Sequence, residues 1–286
     1  MSFRTYREVP GPDGSRLMEQ VLRQRARVAE RLAGVEREII VHSGKGGVGK
    51  SWITAALALA VHRLSLAVGV VDADLHSPTI VPLLGGSGEA RLVLHPDGVA
   101  PVTTASGVRV VSTDLLLEEG RALRWRGDVG ESHAWRGAAE ASVLREFFAD
   151  VAWGPLAVLF VDMPPDEGRI DDLATLLGWR DAPGAGSAPR VRAVAVTIPS
   201  DESARSVARA LDTAARAALP VLGIIENMSG SICPGCGRVG KLFHGNAGER
   251  LSASTGLPVL ARVPFSGASM EQAATLLAPV AARLLR

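Results

Sequence analysis

Apolar residues along this chain fall into short unbroken runs separated by longer segments of helical periodicity. The runs cover residues 38–42, 67–71, 108–112, 156–161, 191–198, 221–225 and 259–263. Several are continuous rather than alternating, the pattern of strands buried on both faces of a parallel sheet. Helical patterns at 50–66, 138–148, 202–218 and 245–255 separate many of them. Strands alternating with helices predict an α/β fold, a doubly wound and mostly parallel sheet with helices on both faces. Ligands of such folds lie at the carboxyl ends of the strands. Ahead of the first strand, Leu17, Val21, Leu22, Val28 and Leu32 recur at helical spacing. Residues 1–37 therefore read as a helical appendage to a main domain at 38–286. Residues 85–107 read as loop with a short hairpin, and the Gly/Pro-rich stretch 181–189 as a surface loop.

The first apolar run leads into Ser43-Gly44-Lys45-Gly46-Gly47-Val48-Gly49-Lys50-Ser51, and Trp52 opens the helical segment beyond. Strand, glycine-rich loop and helix in this order make a phosphate cradle, the fold class of a P-loop NTPase. Backbone N–H groups of the loop converge on the phosphates, and the helix adds the positive end of its dipole. The candidate nucleotide-binding residues are Gly44, Lys45, Gly46, Gly47, Val48, Gly49, Lys50, Ser51 and Trp52. Lys50 can reach the β- and γ-phosphates of ATP, and the Ser51 hydroxyl can ligate Mg²⁺. Two further runs end in acids. Asp72 and Asp74 close one, and their spacing on an extended chain puts both on one face. Beside a P-loop, such carboxylates hold Mg²⁺-bound water or orient the attacking water. Leu159-Phe160-Val161-Asp162 is the Walker B pattern, with Asp162 behind the Mg²⁺.

Composition narrows the setting. At 286 residues the chain can bury a sizeable core. With 47% hydrophobic but only 4% aromatic residues, that core is mostly Ala, Val and Leu. A net charge of +1 gives no global pull toward nucleic acid or an anionic membrane. No apolar segment reads as a signal peptide or membrane span, so the expected location is cytoplasmic. Both cysteines lie in Cys233-Pro234-Gly235-Cys236. That pair argues against a disulfide framework, and by itself fits iron–sulfur, zinc or thioredoxin-like redox chemistry. The six histidines share no metal-ligand spacing.

Taken together these segments resemble one family. Lys45 within the loop is similar to the deviant Walker A motif of the dimeric ATPases that include the MinD/ParA and Mrp-type groups. Asp72-Ala73-Asp74-Leu75-His76-Ser77-Pro78-Thr79-Ile80, Ala134-Trp135-Arg136-Gly137, Asp162-Met163-Pro164-Pro165, Pro220 through Ser229 and Cys233-Pro234-Gly235-Cys236-Gly237 resemble, in order, segments of the Mrp/ApbC/Nbp-type iron–sulfur cluster carrier ATPases. The resemblance runs from about residue 38 to residue 265. It implies an ATPase that works as a homodimer, with Lys45 reaching across to the partner's nucleotide. It gives Asp72 and Asp74 roles in hydrolysis and Asn227 the reading of the adenine edge. It makes Cys233 and Cys236 ligands of a 4Fe–4S cluster bridging two subunits, for delivery to apo iron–sulfur proteins.

The chain also departs from that pattern. Where the family reads PPGTGD, this sequence has Pro164-Pro165-Asp166-Glu167-Gly168-Arg169. A carboxylate at Asp166 would repel a γ-phosphate, so slow hydrolysis with nucleotide binding retained is expected. Arg169 is the cation at hand to neutralise Asp166 or Glu167. Two alternatives stay open: a MinD/ParA-like positioning ATPase and a zinc-stabilised nucleotide-binding regulator. The first needs a terminal amphipathic helix or a basic face. The 270–286 run carries Arg only near its end, and the first helix also holds Glu19 and Glu30.

Overall fold

A computed structural model describes residues 17–87, 90–116, 132–165, 169–177, 190–233 and 235–286. Among the described residues, nine strands form one sheet. Its order is β10-β9-β8-β1-β7-β2-β6-β5, with β11 alongside β9. The central strands are β1 (Glu38–His42), β2 (Val68–Asp72), β6 (Arg109–Val111), β7 (Val158–Asp162), β8 (Val191–Thr197), β9 (Val221–Ile232) and β11 (Val259–Phe265), all paired in parallel. β5 (Val102–Thr103) and β10 (Val239–Gly240) add antiparallel edges. β3 (Val93–His95) and β4 (Gly98–Ala100) make the expected hairpin within 85–107 as a separate two-stranded ribbon.

Alternate residues of each central strand feed two cores. Ile39 and Val41 pack with α2 (Lys50–His62) and α8 (Met270–Leu284) on one face. Ile40, Val71 and Val161 pack on the other with α1 (Leu17–Arg31), α4 (Ser132–Ala149) and α5 (Arg169–Leu177). α6 (Asp201–Arg216) and α7 (Ala247–Thr255) cover the β9 side of the sheet through a smaller cluster. α3 (Ile80–Leu83) is a single turn beside α2. The doubly wound architecture expected from the unbroken apolar runs is thus present. α2 shows why the core uses small residues. Ala55, Ala56, Ala58 and Ala60 are buried among its neighbours, so the helix can sit close to both the sheet and α8.

One boundary differs from the sequence reading. β9 runs on to Ile232, where the apolar run ends at residue 225. Its polar stretch Glu226-Asn227-Met228-Ser229 is unlike a strand core. It bends at Met228, whose φ of 52° is left-handed, and the register with β11 shifts there; β8 and β11 hold the strand before the bend, and β10 pairs with its end. The N-terminal helix is also joined to the rest. Val28 and Leu32 are buried in the α4–α5 core, and Arg27 pairs with Asp150 at 2.8 Å.

Candidate functional site

The carboxyl ends of β1, β2 and β7 lie side by side, with Asp72 opposite Asp162 and Val41 opposite Asp162 in register. The glycine-rich loop leaves β1 here and opens α2. Gly49 at its end has φ 80°, a left-handed conformation, and a Cβ there would come within 2.3 Å of Asn227 Nδ2. Backbone freedom and space both demand glycine. Gly44 at the start is required by close approach, since a Cβ would lie 2.1 Å from the Ser206 backbone of α6. Glycine lets the loop press against that helix.

The loop borders a cleft of about 560 Å³ lined by Lys45 through Trp52, Asp74, Ser77, Thr79 and Pro165, among others. Asp162 is fully buried at its base. It accepts from Ser51 Oγ at 2.5 Å and from Thr54 Oγ1 at 2.8 Å, and Lys50 Nζ stands 3.4 Å away. Burial pushes the Asp162 carboxyl up, and the Lys50 ammonium and the Ser51 hydroxyl oppose that push. A hydroxyl, a buried carboxylate and free N–H groups at a helix start are hard oxygen ligands and anion donors. This set fits Mg²⁺ and a polyphosphate.

The two acids of β2 are split rather than paired on one face. Asp72 is buried and does not line the cleft. Its carboxylate accepts from the N–H groups of Thr79 and Ile80 at 3.1 and 3.2 Å, from Ser112 Oγ at 3.3 Å and from Asp74 N at 3.3 Å. Burial first, then the neighbouring Asp162 charge, pushes its pKa up to about 8. The extended geometry stops at Asp72, the last residue of β2, so the face argument does not carry past it. Asp74 is the acid at the cleft, with Oδ1 accepting from Ser77 N at 3.2 Å.

Lys45 is exposed, and its Nζ lies 3.2 Å from Glu202 Oε2 on α6. Asn227 lies buried beneath the loop, not in the cleft lining, and its Nδ2 donates to Val48 O at 2.9 Å. The amide expected at an adenine edge here donates to the phosphate loop. Asp166 and Glu167 lie outside the described residues, as do the side chains of Trp135 and Arg136. Arg169 is described and forms an ion pair with Glu140.

Cys233 follows the end of β9, and Cys236 lies in the turn before β10. Gly237 N donates to Cys233 O at 2.8 Å and Cys233 N to Arg238 O at 2.9 Å, which close a tight knuckle. Both thiols are exposed. Hydrogen bonds from the Cys236 and Gly235 backbone lower the Cys233 pKa, which favours the thiolate that binds metal. Among the described residues no three His, Cys, Asp or Glu side chains gather to hold a metal. One copy therefore offers two sulfurs.

A family model described as ParA, NUBPL iron-transfer P-loop NTPase, matches residues 34–282. The chain belongs to the NUBPL iron-transfer P-loop NTPases.

Relatives of this NUBPL-type NTPase include the iron–sulfur cluster carrier protein of Methanocaldococcus jannaschii. It is 34% identical over 254 residues, covering 89% of this chain and 80% of that protein. The human cytosolic Fe–S cluster assembly factor NUBP2 is 39% identical over 243 residues, 84% of this chain and 83% of its own. A nucleotide-binding protein from Archaeoglobus fulgidus, solved with ADP, superposes with a TM-score of 0.68 at 30% identity, covering 90% of this chain and 92% of that one. MinD of Pyrococcus horikoshii, at TM-score 0.51 and 18% identity over 87% of this chain and 95% of its own, shares the fold. Among the described residues of the NUBPL-type chain no helix is long and apolar enough to cross a membrane.

Sequence reasoning missed Thr54 and Ser112, the hydroxyls that hold Asp162 and Asp72. Thr54 is one helical turn beyond Lys50, so its spacing was a usable signal. Ser112 was visible only as a polar end to an apolar run. His76 is exposed and bonds to Glu140 of α4.

Proposed function

We propose that this chain carries a 4Fe–4S cluster between two of its own copies and uses ATP with Mg²⁺ to control that cargo. The observation that carries the reading is the exposed Cys233–Cys236 knuckle, which supplies half of a four-sulfur set and leaves the other half to an identical chain. The names of the relatives support iron–sulfur over zinc. Recipients are apo iron–sulfur proteins.

At the other end, Lys50 and the loop N–H groups hold the phosphates. Ser51 and Asp162 hold Mg²⁺, which neutralises phosphate charge when bound. Asp74 orients the attacking water, because it is the β2 acid at the cleft. Asp72 positions Thr79 and Ile80 by accepting their N–H groups. Lys45 leaves Glu202 to reach a partner's nucleotide; its exposure and the weakness of a surface ion pair permit that exchange. Hydrolysis is slow because Asp166 repels the γ-phosphate.

Anaerobic reconstitution followed by visible absorbance and metal analysis tests the cargo. Iron and sulfide bound to the wild type but not to the double cysteine-to-serine variant are expected. Zinc alone, or iron retained without the cysteines, would refute it. For hydrolysis, Asp166→Gly should raise turnover, and equal rates would remove Asp166 as the brake.

A further inference from the structure

Beside the nucleotide cleft, two segments that follow neighbouring strands are tied to the same carboxylate. Glu140 on α4 is buried, and both of its oxygens are occupied. His76 Nε2, in the loop after β2, donates to Oε1 at 2.7 Å, and Arg169, the first residue of α5, pairs with Oε2. Arg169 also stands 3.5 Å from Asp172 on its own helix. These three side chains, with Asp74, Ser77 and Pro165, line a cavity that adjoins the phosphate cleft. Asp74, Ser77 and Pro165 line both spaces. The groups that face the nucleotide from each segment are therefore within a few residues of the shared carboxylate. Nothing in the phosphate cradle requires this cluster, and Arg169 occupies the place where the resembling segment has Asp.

We propose that Glu140 is a positioning residue that locks the loop after β2 and the start of α5 to α4, so that Asp74 and Arg169 shift together or not at all. A carboxylate with one oxygen on each segment is a physical coupling. Displacing either segment strips a partner from a buried charge, which favours moving both. The consequence for turnover rests on the ATPase reading above, since Asp74 acts there on the attacking water. The coupling itself does not rest on it.

Glu140 is a poor residue to remove, because truncation would leave Arg169 against an uncompensated site. His76→Ala, in the loop after β2, and Arg169→Ala, at the start of α5, each remove one of these two partners of Glu140. Amide hydrogen exchange on the full chain without nucleotide reads the coupling directly. Arg169→Ala should speed exchange at residues 74–79, and His76→Ala at residues 169–177, each by about 10-fold, as expected for a coupling of roughly 1.4 kcal/mol. Each variant loosening only its own segment would overturn the proposal. In steady-state ATPase assays each single variant should lower kcat by about 10- to 100-fold, the scale of a ~1 Å misplacement, with KM unchanged. The double variant should be no worse than the poorer single, and His76→Gln, which keeps a donor, should recover most of the rate. Multiplying effects, or a change in KM alone, would also overturn it. A wild type without turnover would refute the ATPase reading, and the exchange experiment would still decide the lock.

Discussion

The two ends of β9 present opposite designs. At Asn227 the strand is buried, flanked by β8 and β11, and its side chain holds the phosphate loop by a 2.9 Å hydrogen bond. Six residues on, at Cys233, it ends in an exposed knuckle with two free thiols. At about 3.3 Å per residue that is roughly 20 Å of strand. The cradle is built from one chain: Asp162 has its partners, Gly49 supplies the left-handed φ and Gly44 the close approach to α6. The knuckle is unfinished by construction, with a fixed turn but half a ligand set. On the proposed function, the contrast assigns the phosphate cradle to the single chain and the cluster to a pair.

Replacing Cys233 and Cys236 with serine should abolish cluster binding altogether while leaving nucleotide affinity within about 2-fold, because the two ends share no side chains; isothermal titration with an ATP analogue checks the second half. A smaller but large effect is expected at the cradle. Lys50→Ala should weaken nucleotide binding by at least about 100-fold, since it removes a desolvated charge partner of the phosphates, and should spare the cluster. Trp52 lines the same cleft, so its fluorescence change on binding is the readout.

His42 gives a pH-dependent contrast within the buried end. It closes β1 just ahead of the loop and is fully buried, and among the described residues neither ring nitrogen has a partner. Burial lowers its pKa from 6.5 to about 4. The unfolded chain takes up a proton below pH 6.5 that the fold refuses until about pH 4. Stability from the neutral imidazole is complete above 6.5 and is lost as pH falls across that window. The stability of wild type relative to His42→Leu should drop by roughly 3 kcal/mol between those limits, measured by urea unfolding. Asn227→Ala should cost about 1–3 kcal/mol by leaving the Val48 carbonyl without its donor, and the same titrations should show looser nucleotide binding. The smallest effect belongs to Glu202→Ala, below about 1 kcal/mol, because the Lys45–Glu202 pair is exposed.

Much of the buried end could be read from the chain. Continuous apolar runs announced strands covered on both faces, and a glycine-rich loop between strand and helix announced the cradle. What local pattern did not reveal were contacts made across the fold. Asp72 and Asp74 looked equivalent, and only the end of β2 at Asp72 separates them into a buried cap and an acid at the cleft. The bond from Asn227 to the Val48 carbonyl joins residues 179 apart in sequence and left no local signal. Glu140 carried no signal, since its partners come from two segments distant in sequence. The cysteine knuckle was plain as a pair, but spacing alone left its metal open.

The central claim is that two chains share one cluster through Cys233 and Cys236. Native mass spectrometry of the anaerobically reconstituted protein tests it most directly. The account predicts a species of two chains with a single 4Fe–4S cluster, which falls apart to apo monomers when the cysteines are replaced. A cluster held by a single chain, or a dimer that carries zinc and no iron, would contradict it.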